Sequence, residues 1–130
     1  MKRRIVYPGL KFTIAYIIDP SGACPAGEFF DSLGLPDKAK MNALFRTAAD
    51  HAPFHNPEKF GNLGAGLYEF KSHQIRMPFA YSSSERQLIL VTHGFIKKKD
   101  KTPREEIDRA LYLLEQNQRS KISLVKKTRK

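Results

Sequence analysis

The stretch Gly66–Arg104, GLYEFKSHQIRMPFAYSSSERQLILVTHGFIKKKDKTPR, decides the fold. Leu67–Lys71 and Gln74–Tyr81 flank Ser72-His73 as the arms of a hairpin. In the second arm Ile75, Met77, Phe79 and Tyr81 share one face, opposite Gln74, Arg76 and Ala80. Pro78 has no N–H to give to a ladder, so this strand is an edge, is bulged there, or has its free side there. After the polar turn Ser82-Ser83-Ser84-Glu85-Arg86, the nearly continuous apolar run Gln87–Ile96 predicts a strand covered on both faces and therefore central. Thr102-Pro103-Arg104-Glu105 then supplies an N-cap, a proline at N1 and a glutamate at N3, so a helix is expected from Pro103. Ile107, Ala110, Leu111 and Leu114 form its apolar stripe, Glu105 and Arg109 stand at i and i+4, and the pattern fades near Asn117.

Working back toward the N-terminus, Ala52–Gly66 holds three glycines and two prolines around Phe54 and Phe60, and reads as a loop laying an aromatic against the core. Pro36–His51 carries Met41, Leu44, Phe45 and Ala48 at helical spacing, with Asp37, Lys38, Lys40 and Arg46 left for solvent. Pro25 opens a short helix bearing Phe29, Phe30 and Leu33, which Gly34 stops. Phe12, Ile14, Tyr16 and Ile18 alternate with Lys11, Thr13 and Ala15, the pattern of a strand with one face on a core. The order β-α-α-β-β-β-α describes an α+β domain: a mostly antiparallel sheet of about four strands with helices packed on one face, the other face free to bind.

The length of 130 residues suits one domain, expected over residues 1–118. Residues 119–130 hold six basic side chains and no acid, and read as a flexible basic tail. With 23 Lys and Arg against 13 Asp and Glu, the net charge of +10 makes nucleic acid the first partner to consider. The single cysteine, Cys24, excludes an internal disulfide framework and a multi-cysteine metal site, and fits a cytoplasmic setting. Pro8, Gly9 and Lys11 interrupt the sequence after Met1-Lys2-Arg3-Arg4 before a signal-peptide apolar region forms, and no stretch is long enough for a membrane span.

Phosphate loops of P-loop or Rossmann spacing, His-Glu-x-x-His and a nucleophile elbow are all missing from the sequence. What the chain offers is His73 and His93 with Lys71, Arg76, Lys97, Lys98, Lys99 and Lys101. RNA carries its own nucleophile, the 2′-hydroxyl. Its cleavage needs a base for that proton, an acid for the departing 5′-oxygen, and fixed cations for the charge that builds on phosphorus. Histidine suits either proton task, whereas a lysine would need its pKa lowered by neighbouring cations or burial. Each residue also has a plainer reading: His73 as a polar turn residue, His93 as a hydrogen-bonded core histidine, Arg76 as a strand residue facing solvent, Lys97 to Lys101 as a solvated loop, and Glu69 as an arginine partner.

Gly66-Leu67-Tyr68-Glu69-Phe70, Arg76 in the next strand, Leu90–Lys98 (LVTHGFIKK), and Thr102-Pro103 with Glu106-Ile107 and Ala110 together resemble the RelE/HigB superfamily of bacterial toxins, in its phage-associated HigB-like branch. The resemblance implies a RelE-like fold and the toxin of a type II toxin–antitoxin pair. Such a toxin enters the ribosomal A site and cleaves mRNA without a metal or other cofactor, leaving a 2′,3′-cyclic phosphate, and a helix-turn-helix antitoxin of the HigA type neutralises it. By position it assigns Arg76 to the scissile phosphate, His93 to acid catalysis or substrate positioning, and Lys97 and Lys98 to charge stabilisation, with Lys71 and His73 where relatives hold a base or cation. The basic loop, including Lys99 and Lys101, would bind RNA. A non-catalytic RNA- or ribosome-binding protein and a gyrase-directed, ParE-like toxin are the alternatives on the same fold.

Overall fold

The computed structural model describes residues 3–51, 56–98 and 100–128, with 119–128 by backbone alone. Ten elements follow in order: β1 (Arg3–Pro8), β2 (Thr13–Ile17), α1 (Pro25–Asp31), α2 (Leu35–His51), β3 (Phe60–Gly64), β4 (Leu67–Ser72), β5 (Ile75–Tyr81), β6 (Leu88–Val91), β7 (Phe95–Ile96) and α3 (Arg104–Thr128). They build one sheet in the order β1-β2-β6-β5-β4-β3, with β7 paired to β5. Every pairing is antiparallel except that of β2 with β6.

The α+β class and the mostly antiparallel sheet are those expected, but the sheet has seven strands rather than about four. β1 extends it at one edge, and β3, inside the segment read as a loop, extends it at the other. Phe60 does lie in the core as expected, whereas Pro53 and Phe54 fall outside the described residues. The central apolar run is two strands, β6 and β7, interrupted at Thr92, His93 and Gly94. β6 is central as expected.

The helices divide between the two faces rather than sharing one. Met41, Leu44, Phe45 and Ala48 of α2 pack with Ile14, Tyr16, Phe70, Met77, Phe79, Ile89 and Val91 on one side. Leu113 of α3 packs with Ala15, Ile17, Leu88 and Leu90 on the other. The physical reason lies in β2 and β6. Ala15 and Ile17 are as buried as Ile14 and Tyr16, so both faces of the middle strands are apolar and each needs a cover.

α3 begins one residue later than expected, and the hydroxyl of Thr102 turns away from a capping role to donate to the Glu69 carboxylate, at 2.9 Å to Oε1. Its helical surface pair is Arg104 with Asp108 at 3.0 Å, and its backbone stays helical to Thr128, beyond Asn117.

Candidate functional site

The hairpin of β4 and β5 pairs Lys71 with Arg76 and Ser72 with Ile75, which leaves His73 and Gln74 as the turn. His73 takes a left-handed backbone, φ 55°, a conformation unusual for a side-chain-bearing residue and held only where its surroundings fix it. Arg76 supplies that hold: its Nη1 donates to the carbonyl of His73 at 2.6 Å and to that of Ile75 at 3.0 Å. On the other flank β7 runs beside β5, Ile96 against Ile75, and the Lys97 amide donates to the Gln74 carbonyl at 2.7 Å. Lys71, His73, Arg76 and Lys97 are thereby gathered at one end of the sheet, although the sequence spreads them over residues 71 to 97.

The exposure of these groups differs. Arg76 is 6% exposed, with Glu69, also 6% exposed, as its carboxylate neighbour at 3.9 Å from Nε. Glu69 is therefore the arginine partner that one of its two readings made it. Lys71 Nζ donates to the Pro57 carbonyl at 2.8 Å. His73 is exposed at the tip, and its Nε2 lies 2.8 Å from Lys40 Nζ on α2. An ammonium has only protons to give, so Nε2 is the acceptor, and the proton of the neutral ring is on Nδ1.

Between the tip, α2 and the turn before β3 lies a cleft of about 470 Å³ whose lining includes Lys40, Glu58, Lys59, Lys71, Ser72 and His73. Among the basic loop residues, Lys97 Nζ donates to the Asp100 carbonyl at 2.7 Å, Lys98 and Lys101 are exposed, and Lys99 falls outside the described residues.

His93 is not at this cleft. It is fully buried, with Nδ1 2.9 Å from the Thr92 hydroxyl and Nε2 3.0 Å from Glu106 Oε1 on α3, and its ring stacks against Phe95. Burial holds its pKa below the usual 6.5, against the opposing pull of the Glu106 hydrogen bond. Nε2 of the neutral ring donates to Glu106, tying the strand end to the last helix. Of its two readings, this geometry is that of the hydrogen-bonded core histidine.

Lys40 and Lys59 line the cleft as well, although the sequence does not single them out. The helical pattern of α2 marks Lys40 only as solvent-facing, and no signal in the sequence says that the hairpin tip comes to rest beside it. Lys59 lies in a segment whose glycines and prolines hide β3.

The sequence profile of the family described as "Phage derived protein Gp49-like (DUF891)" matches residues 28–115. The chain belongs to this family, a RelE/HigB-type toxin family. Among solved structures it is similar to the isolated E. coli RelE toxin in its P21 crystal form, at 14% identity, covering 65% of this chain and 88% of that one with a TM-score of 0.45. No curated protein matches by sequence. Among the described residues of this Gp49-like chain, no helix is long and apolar enough to cross a membrane, and no group of three or more His, Cys, Asp or Glu side chains is placed to hold a metal ion.

Proposed function

We propose that this Gp49-like toxin is a metal-independent endoribonuclease that cuts mRNA in the ribosomal A site of the cytoplasm, and that a HigA-type helix-turn-helix antitoxin encoded with it restrains it. The observation that carries the reading is the gathering of Lys71, His73, Arg76 and Lys97 at the hairpin tip, beside a cationic cleft. In the reaction the 2′-oxygen attacks phosphorus and the P–O5′ bond breaks. A base removes the 2′ proton and an acid delivers one to O5′, which leaves a 2′,3′-cyclic phosphate and a 5′-hydroxyl.

His73 is the exposed group at the tip suited to a proton task, and Lys71 and Lys97 are the cations for the charge that builds on phosphorus. We assign Arg76 a positioning role in place of direct contact with the scissile phosphate. Its Nη1 serves two carbonyls, and one of them, that of His73, fixes the backbone from which the imidazole projects. His93 and Glu106 brace the same sheet from within.

The test is the chemistry of the ends. Message from cells expressing the wild type should carry 2′,3′-cyclic phosphate and 5′-hydroxyl termini that disappear in His73→Ala at equal soluble protein. Equal cutting by the variant would remove His73 from the chemistry. The burial of both Arg76 and His93 favours one rival, a non-catalytic RNA- or ribosome-binding protein. That rival predicts translation arrest with intact message and salt-sensitive RNA binding.

A further inference from the structure

Lys59 stands where its charge costs stability, and Lys40 adds a further cation to the same cleft. The Lys71 amide donates to the Lys59 carbonyl at 2.8 Å, continuing the β3–β4 ladder one residue beyond the Phe60–Phe70 pair. Lys59 and Lys71 therefore stand opposite each other, a like-charge cross-strand pair that costs stability. Lys40, from α2, brings a third ammonium against His73. Among the described residues that line this cleft, Glu58 is the only carboxylate, against Lys40, Lys59 and Lys71. The volume of about 470 Å³ falls in the range of ~300–1,000 Å³ typical of ligand clefts.

We infer that this cleft is an RNA-backbone site in which Lys40 and Lys59 hold phosphates of the strand beside the bond at His73. A phosphate bound in the cleft would offset the repulsion of this cross-strand lysine pair, and the polyanion that meets His73 and Lys71 in the proposed reaction is RNA. The inference rests on RNA being the substrate and adds where its backbone runs. Phosphate contacts of this kind fix position and register without reading sequence.

The experiment is fluorescence anisotropy of a labelled 2′-O-methyl oligoribonucleotide, which lacks the nucleophile and stays intact, titrated with full-length protein over a range of salt. Lys40→Gln/Lys59→Gln should weaken binding on the order of tenfold and reduce the slope of log affinity against log salt by about 1.4, the value for two phosphate contacts on a single strand. Lys11→Gln/Arg86→Gln removes the same charge at the opposite end of the sheet and should stay within about twofold of wild type.

Equal losses in both double variants would reduce the effect to net charge and overturn the site. An unchanged affinity in Lys40→Gln/Lys59→Gln would overturn it while leaving His73-dependent cleavage standing. Absence of binding by the wild type together with absence of cleavage would remove the site and the nuclease reading together. Capture of an acidic peptide with no affinity for the oligonucleotide would give the cleft to a protein partner.

Discussion

Removing the Glu69 carboxylate isolates the contribution of the buried charges under the hairpin tip. In Glu69→Ala, Arg76 keeps its two carbonyl acceptors but loses its counter-charge, and the Thr102 hydroxyl loses its acceptor. Breaking a buried ion pair by deleting one partner costs about 3–5 kcal/mol. Here the contact is a single approach of 3.9 Å, so a cost of about 2 kcal/mol is appropriate. The stranded Thr102 hydroxyl, half-buried, adds about 1 kcal/mol.

The expected total of about 3 kcal/mol, with a urea slope of about 1.5 kcal/mol per molar for a domain of this size, moves the unfolding midpoint down by about 2 M. Equilibrium urea unfolding followed by circular dichroism measures it. Replacing the pair together, Glu69→Leu with Arg76→Met, should recover part of the loss, because no unpaired charge is left in the interior while Thr102 and the two carbonyls still lack their partners. A midpoint shift below about 0.3 M in Glu69→Ala would refute the reasoning, since it would mean that the guanidinium needs no counter-charge where it lies.

Other expectations follow from the same structure. Arg76→Ala should abolish most cleavage while Arg76→Lys restores little, because a single ammonium cannot hold the two carbonyls and face the Glu69 carboxylate together, as Nη1 and Nε do. Nuclear magnetic resonance of the His73 ring should report a displaced tip in Arg76→Ala, and an unmoved ring would exclude a positioning role. Gly94→Ala would drive a Cβ into the Phe29 ring, so the ring or α1 must shift, and calorimetry should show a loss of about 1–3 kcal/mol; an unchanged melting temperature would contradict this packing. His93, with its folded pKa held below 6.5 by burial, resists protonation that the unfolded chain accepts. Its contribution is thus complete above pH 6.5 and falls away as the pH drops below it. His93→Gln should therefore show a flatter fall in urea midpoint between neutral and acidic pH than wild type, and parallel curves would exclude it as the group responsible.

Much of the core was legible because its signals are local. The stripe of Met41, Leu44, Phe45 and Ala48 places α2, the alternation of Ile75, Met77 and Phe79 places β5, and Thr102-Pro103 places the start of α3 to within a residue. What escaped depends on partners distant in sequence. β1 is a short edge strand ending in Pro8, held by its pairing with β2, and β3 contains two glycines and is held by its pairing with β4. The second covered face of β2 was hidden because a small residue, Ala15, looks the same in a sequence whether it meets solvent or a helix. The place of Lys71 and His73 at the hairpin end was legible from the strand pattern. The roles of Arg76 and His93 turn on burial, which is set by α3 and the β7 segment packing over them, and Lys40 enters through an approach of two elements that no spacing encodes.

The most direct test of mRNA cleavage on the ribosome is to map new 5′ ends on a translated reporter and on a copy whose start codon is removed, in cells expressing wild type or His73→Ala at matched soluble levels. Cuts should be confined to the translated message and lost in the variant. Cuts in both messages would contradict ribosome dependence, and intact message under wild-type growth arrest would contradict cleavage itself.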